Sequence, residues 1–319
     1  MGLKQQLSLD VNKAREWYEL PVAERNARNN ALIDEKILQW KFMVRRSRKK
    51  PLPGLAGFHV VFFHIPKTGG TTLDYLTAKN YRIDYVYQVN APAMDEHITG
   101  LFKNQKMFRT LMGHYELNDY FYQLLDRKKM AHFTMLREPV SRVISYYDYL
   151  RTSENHPKHD IAKDMSLEEF IQHPEIDEMP NGQAHRILGL LRKGAWLHDK
   201  RSEDELLADA KHQLEHRFSL FGLTEMYDAF LVMAQRCLGW QDVFYQRMNA
   251  SREKTDKSTI PAAVMDKIKT INAVDVGLYD FAKELFQQRA EQLGITEDKV
   301  ARYRDSNREY VQLLDWHQE

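Results

Sequence analysis

The stretch His64-Ile65-Pro66-Lys67-Thr68-Gly69-Gly70-Thr71-Thr72 carries the residue types of an anion cradle. Lys67 brings a mobile positive charge. Gly69 and Gly70 let the backbone approach a phosphate with no Cβ in the way. The hydroxyls of Thr68, Thr71 and Thr72 can cap a helix and donate to phosphate oxygens. The order is not that of a Walker A loop, because the lysine precedes both glycines. A turn that binds nothing is the plainer reading of two glycines alone. The lysine, the threonines and the preceding apolar run favour the anion site. A second set lies in Leu136–Arg151. Arg137 offers a planar fork for a phosphate, and Arg142 and Ser145 stand three apart on one helix face. His114, directly after Gly113, has an unperturbed pKa suited to taking a proton from a hydroxyl near neutral pH. Glu116 is a rival or helper for that role, or a first-turn acid of the segment after it.

These residues need elements to hold them. Phe58–Ile65 is short, apolar and rich in Val and Phe, which suits a strand buried on both faces. Pro66 ends it, and a helix is expected from Leu73. Arg82–Gln88, Phe108–Met112 and His132–Leu136 are further strand candidates, with helical patterns over Leu117–Asp126 and from Pro139 on. Alternating strands and helices predict an α/β fold with a parallel sheet flanked by helices. Ligands of such sheets gather beyond the carboxyl ends of the strands. Lys67, His114 and Arg137 each follow a predicted strand end, so a parallel sheet brings them to one edge.

The rest of the chain is read more coarsely. Residues 1–50 are expected to be a helical N-terminal extension, with 51–319 as the main domain. Val22–Lys50 carries a loose apolar stripe, and its end, Lys41–Lys50, is basic without an acid. That end is either a solvated helix terminus or a surface for an anion, a membrane or a neighbouring subunit, and the N-terminal helices are candidates for a homo-oligomer contact. Ala91–Lys103 reads as a short helix and loop. Asn181, Gln183 and Arg186 can bond hydroxyls or carboxylates, or simply sit at a helix start. Three C-terminal helices are expected, over Ala262–Ile271, Val276–Gln292 and Glu297–Trp316.

A chain of 319 residues with a net charge of +1 can bury a large core and is not a polyanion binder as a whole, so no nucleic-acid partner is expected. A single cysteine, Cys237, excludes an internal disulfide and reads as a core residue. The start has no apolar h-region and no run is long enough to span a bilayer, so a cytoplasmic setting is the expectation. The 13 histidines form no ligand set, and no metal is called for.

HIPKTGGTTL followed by LREPVSRVISYYDYLR resembles the two cofactor signatures of carbohydrate sulfotransferases that use 3′-phosphoadenosine-5′-phosphosulfate (PAPS), in the pattern of the heparan sulfate 2-O-sulfotransferases. Gly113-His114 lies between the two signatures, and the strand–helix segment Phe218–Phe230 and the basic run Asn249–Thr255 come after them, in the family's order. The resemblance spans about residues 58–290. It implies a P-loop-like sulfotransferase fold, and it implies that Lys67, Thr68, Gly69, Gly70, Thr71 and Thr72 bind the 5′-phosphosulfate. It further implies that Arg137 and Ser145 bind the 3′-phosphate, that Arg252 and Lys254 close over the cofactor, and that His114 is the general base. Asn181, Gln183 and Arg186 resemble an Asn-x-Gln-x-x-Arg element near the acceptor, a saccharide hydroxyl. The chain departs from the family at Met112, where relatives have a second histidine, and in lacking their cysteines and membrane anchor. It therefore resembles a soluble, bacterial-type member. A nucleotide kinase or NTPase with an atypical loop, and a non-catalytic nucleotide-binding module, stay open beside this reading.

Overall fold

The computed structural model describes residues 3–52, 55, 57–89, 109–125, 129–176, 178–246 and 255–316. Five parallel strands form one sheet in the order β2-β3-β1-β4-β5: β1 Phe58–Phe63, β2 Val86–Val89, β3 Thr110–Gly113, β4 Lys129–Leu136 and β5 Leu220–Leu223. Phe63 is level with Gly113 on one side and Thr134 on the other, and Leu136 is level with Leu223. The carboxyl ends of β1, β3, β4 and β5 thus share one edge. The chain leaves β1 toward β2 and leaves β3 toward β4, so the order reverses between β1 and β3, where open α/β sheets take their ligands.

The central strands are buried on both faces, as their apolar runs require. Phe62 stacks on Phe133 at 4.7 Å, and Phe63 meets Tyr115 and Phe218 edge-on. The helices are α1 Leu3–Glu19, α2 Val22–Lys36, α3 Trp40–Lys49, α4 Gly70–Tyr81, α5 Pro139–Thr152, α6 Gly182–Leu188, α7 Glu203–Arg217, α8 Tyr227–Leu238, α9 Ala262–Ile271, α10 Ala273–Gln292 and α11 Glu297–Trp316, with shorter turns between. α5 starts on Pro139 at its first position, and the Glu138 carboxylate accepts from the N–H groups of Val140 and Ser141.

Some boundaries differ from the sequence expectation. Ile83–Tyr85 is a 3-10 turn, so the second strand starts later, at Val86. The expected helix over Leu117–Asp126 shrinks to Phe121–Leu124. Asp119 accepts from the Glu116 N–H, and Asn118 donates to the Gly189 carbonyl, so residues 116–119 are held as a turn against other elements. The apolar stripe of Val22–Lys50 breaks at Ile37, because Leu38 donates its N–H to the Met130 carbonyl at the start of β4. Ile33, Leu38 and Met43 join the main core. Cys237 is buried there as well. The helix expected over Ala91–Lys103 lies outside the described residues.

Candidate active site

The loop after β1 is shaped by its own side chains. The buried Thr68 hydroxyl donates to the Ile65 carbonyl at 2.8 Å, which closes the turn. Lys67 and Gly69 take positive φ, 69° and 84°. α4 then begins at Gly70 with Gly69 at its N-cap and no side-chain cap. The first N–H groups of a helix have no partner within it, so the first turn, with Thr71 exposed and Thr72 buried, presents uncapped donors at the sheet edge. Thr224, just after β5, donates to the carbonyls of Thr68 (2.8 Å) and Leu136 (3.1 Å), and the Tyr227 hydroxyl donates to the Gly69 carbonyl at 3.4 Å. Nothing in the spacing of FGLTEMYDAF singles these two residues out as clamps of a loop 156 residues upstream of Thr224, although the segment itself was legible.

Arg137 leaves β4 beside this loop. Its Nη1 donates to the Lys67 carbonyl at 3.0 Å. The Lys67 ammonium lies 4.0 Å from the centroid of the Tyr149 ring, on α5. Burial, and then the charge of Arg137, lowers the Lys67 pKa to about 8, with Asp148 acting the other way. Two cations held together and partly dried form a place that an anion would relieve. Ser145 stands half-buried on α5, one helical turn from both Ser141 and Tyr149. The chain returns to this helix where Thr255 donates to both oxygens of Asp148, and Lys257 pairs with Glu138 and Ser141. Arg252 and Lys254 lie outside the described residues, immediately before that anchor.

His114 leaves β3. Its Nδ1 is 2.9 Å from the His64 carbonyl oxygen. A carbonyl only accepts, so Nδ1 carries the proton and Nε2 keeps its lone pair. The side chain reaches solvent at the sheet edge, but the protein around it strips enough water to push its pKa down to about 3. Burial is the largest cause, followed by the charges of His64 and Arg186. Its ring lies 4.3 Å from that of His64. His64 in turn contacts Asp74 on α4 at 3.2 Å. Glu116 is buried two residues beyond His114.

The Asn-x-Gln-x-x-Arg element is turned inward. Asn181 Oδ1 accepts from the N–H groups of Val274 and Asp275, at the start of α10. Gln183 clamps the backbone of Arg137, accepting from its N–H and donating to its carbonyl, both at 2.9 Å. Asp275 accepts from the N–H groups of Gln183 and Ala184, which caps α6. Arg186 and Arg142 share the buried Glu178, whose pKa is lowered to about 2 by these two guanidiniums against the cost of burial. Arg142 also donates to the Pro66 carbonyl at 3.1 Å. The element therefore reaches the loop through Arg142 and the β4 end through Gln183.

The galactose-3-O-sulfotransferase family model matches residues 19–315. The chain belongs to that family. It is 32% identical to the bovine (Bos taurus) galactose-3-O-sulfotransferase 3 over 170 residues, 51% of this chain and 39% of that protein. It is 26% identical to the chicken (Gallus gallus) heparan-sulfate 6-O-sulfotransferase 2 over 292 residues, 76% of this chain and 70% of that protein. The human galactose-3-O-sulfotransferase 3 is 31% identical over 170 residues, 51% of this chain and 39% of that protein. The chain thus matches well under two thirds of the length of the galactose-3-O-sulfotransferases. Among the described residues of this sulfotransferase-family chain, no helix is long and apolar enough to cross a membrane, and no group of three or more His, Cys, Asp or Glu residues could hold a metal ion.

Proposed function

We propose that this chain transfers a sulfuryl group from PAPS to a hydroxyl of a saccharide, with His114 as general base. The observation that carries the reading is the meeting of three strand ends on one edge. His114 with its free Nε2, the uncapped start of α4 beside Lys67, and Arg137 all belong to a chain of a carbohydrate sulfotransferase family. The residues fit an anionic nucleotide: the crowded Lys67–Arg137 pair gains from a bound anion, and the first N–H groups of α4 have no side-chain cap. In this reading the loop after β1 is P-loop-like in role, and Lys67 through Thr72 receive the 5′-phosphosulfate. Arg137 and Ser145 hold the 3′-phosphate, with Arg252 and Lys254 closing from the segment before Thr255.

PAPS supplies an activated sulfuryl group with a phosphate leaving group. The acceptor oxygen attacks sulfur in line, the new S–O bond forms as the bond to the 5′-phosphate oxygen breaks, and His114 Nε2 takes the acceptor's proton. Lys67 and the first N–H groups of α4 stabilise the charge that develops on the leaving oxygen. Asn181, Gln183 and Arg186 bound the acceptor side, the first two mainly by holding Arg137 and α10 in place. Galactose and heparan-type saccharides, the acceptors in the relatives' names, are the first to test, and a 2-O position is a finer reading than the relatives support.

Calorimetric titration with 3′-phosphoadenosine-5′-phosphate, without Mg²⁺ and with ATP in parallel, tests the pocket. Metal-independent binding of the bisphosphate, much tighter than ATP, is expected. Binding of ATP alone, and only with Mg²⁺, would favour a kinase instead.

A further inference from the structure

We propose that His64, tethered by Asp74, is the positioning residue that holds His114 in its proton-accepting orientation. The proposal rests on the reading of His114 as the base. His64 is the first residue past β1, and its N–H donates to the Gly113 carbonyl at 3.1 Å. The pairing of β1 with β3 therefore runs one step beyond the strands and sets the two histidines side by side. The His64 carbonyl receives His114 Nδ1–H at 2.9 Å, while its ring packs against the His114 ring at 4.3 Å and 39°. One residue thus fixes both the tautomer and the plane of the base.

His64 is itself held on its remaining sides. Its ring stacks on Phe62 at 5.3 Å with 10° between the planes. Its Nδ1 lies 3.2 Å from Asp74 Oδ2, one turn into α4 from Gly70, and both side chains are mostly out of solvent. A Cβ on residue 70 would land inside the His64 ring, nearest Nε2. Gly70 is therefore glycine for the imidazole as much as for an incoming anion. The tether also ties the start of α4, which the cosubstrate would touch, to the base that the acceptor would touch.

Among the described residues, charged groups act on the pair from two sides. Asp74 faces it from α4, and its charge also reaches Tyr115 beyond β3 and Tyr227 on α8. Arg186 and Glu178 act on His114 from the α6 side with opposite signs. Asp74 is the carboxylate in direct contact with His64, its Oδ2 3.2 Å from Nδ1, so the ring that packs on His114 is held against the start of α4.

The test uses the full chain with Asp74→Ala and Asp74→Asn, the second keeping the side chain's size and an oxygen at the contact with His64. Imidazole ¹⁵N shifts report the His114 tautomer, and steady-state kinetics report kcat and KM for PAPS. In the wild type, His114 is expected to hold its proton on Nδ1. Asp74→Ala should mix the tautomers and lower kcat roughly 100-fold, the scale of a misplaced catalytic group, with KM for PAPS changed less than about twofold. Asp74→Asn should recover the tautomer and most of kcat. An unchanged His114 tautomer in Asp74→Ala would overturn the proposal, as would an equal loss of kcat in both variants. A wild type that binds no 3′-phosphoadenosine-5′-phosphate would instead count against the functional reading, because the tautomer reads the tether without turnover.

Discussion

His114 carries most of the chemistry proposed for this edge, and its environment is demanding. A pKa near 3 keeps it neutral at working pH, which leaves Nε2 free, but also makes it a weak base until negative charge arrives nearby. Binding of 3′-phosphoadenosine-5′-phosphate is therefore expected to raise the His114 pKa, read by NMR titration with and without the ligand; a fall would contradict the electrostatic account. Lys67→Ala should weaken bisphosphate binding on the order of ten- to a hundredfold, the scale of a charge-assisted bond, measured by calorimetry. At this scale the sequence was legible where local order encodes the local conformation. A lysine, two glycines and threonines between a strand and a helix made the turn and the helix start readable, and the structure has both there. Asn181 and Gln183 were harder, because their partners, Val274, Asp275 and the Arg137 backbone, lie far away in the chain. Residue type alone cannot say whether an amide faces a sugar or a backbone. His64 was visible in the same run as Lys67, but its contact with Asp74 depends on how far α4 turns.

The elements decide whether those residues meet. Registers that align Phe63 with Gly113 and Thr134 bring three loops to one edge, and short apolar runs ended by Pro66, Gly113 and Arg137 made that alignment readable. The missing part was the bracing. Thr224 and Tyr227 bind the loop from the β5 side, and the Arg142–Glu178–Arg186 cluster binds it from α5. Glu178→Ala leaves two buried guanidiniums without their shared carboxylate, so a stability loss of about 3–5 kcal/mol is expected in urea denaturation. A loss below about 1 kcal/mol would show that the cluster is dispensable. Gly69→Ala places a side chain at φ 84° and should cost about 1–2 kcal/mol by the same measurement.

The whole molecule couples this site to its core. By sequence the segment before residue 51 reads as an extension, since its helical pattern and basic end differ from the sheet region. Its burial of Ile33, Leu38 and Met43 in the main core shows up only once the chain is folded. Deleting residues 1–50 is expected to leave the remainder unable to unfold cooperatively, checked by calorimetry. Acid should act on the whole molecule too. Burial lowers the pKa of His132 and of His185 to about 4, so the unfolded chain binds more protons than the folded one from about pH 6.5 down to 4. Stability should fall as pH drops through that window, and it should keep falling below pH 4.5 as Glu178 is protonated in the unfolded chain first, with the raised Asp275 partly offsetting this.

The most direct single measurement is product formation from PAPS with a galactose-terminated acceptor, for wild type and His114→Ala, with bisphosphate affinity measured on the same samples. The account predicts sulfated saccharide with the wild type, a loss of roughly a hundred- to ten-thousandfold in kcat for His114→Ala, and bisphosphate affinity preserved in both. A His114→Ala protein that binds the bisphosphate and turns over at the wild-type rate would contradict it.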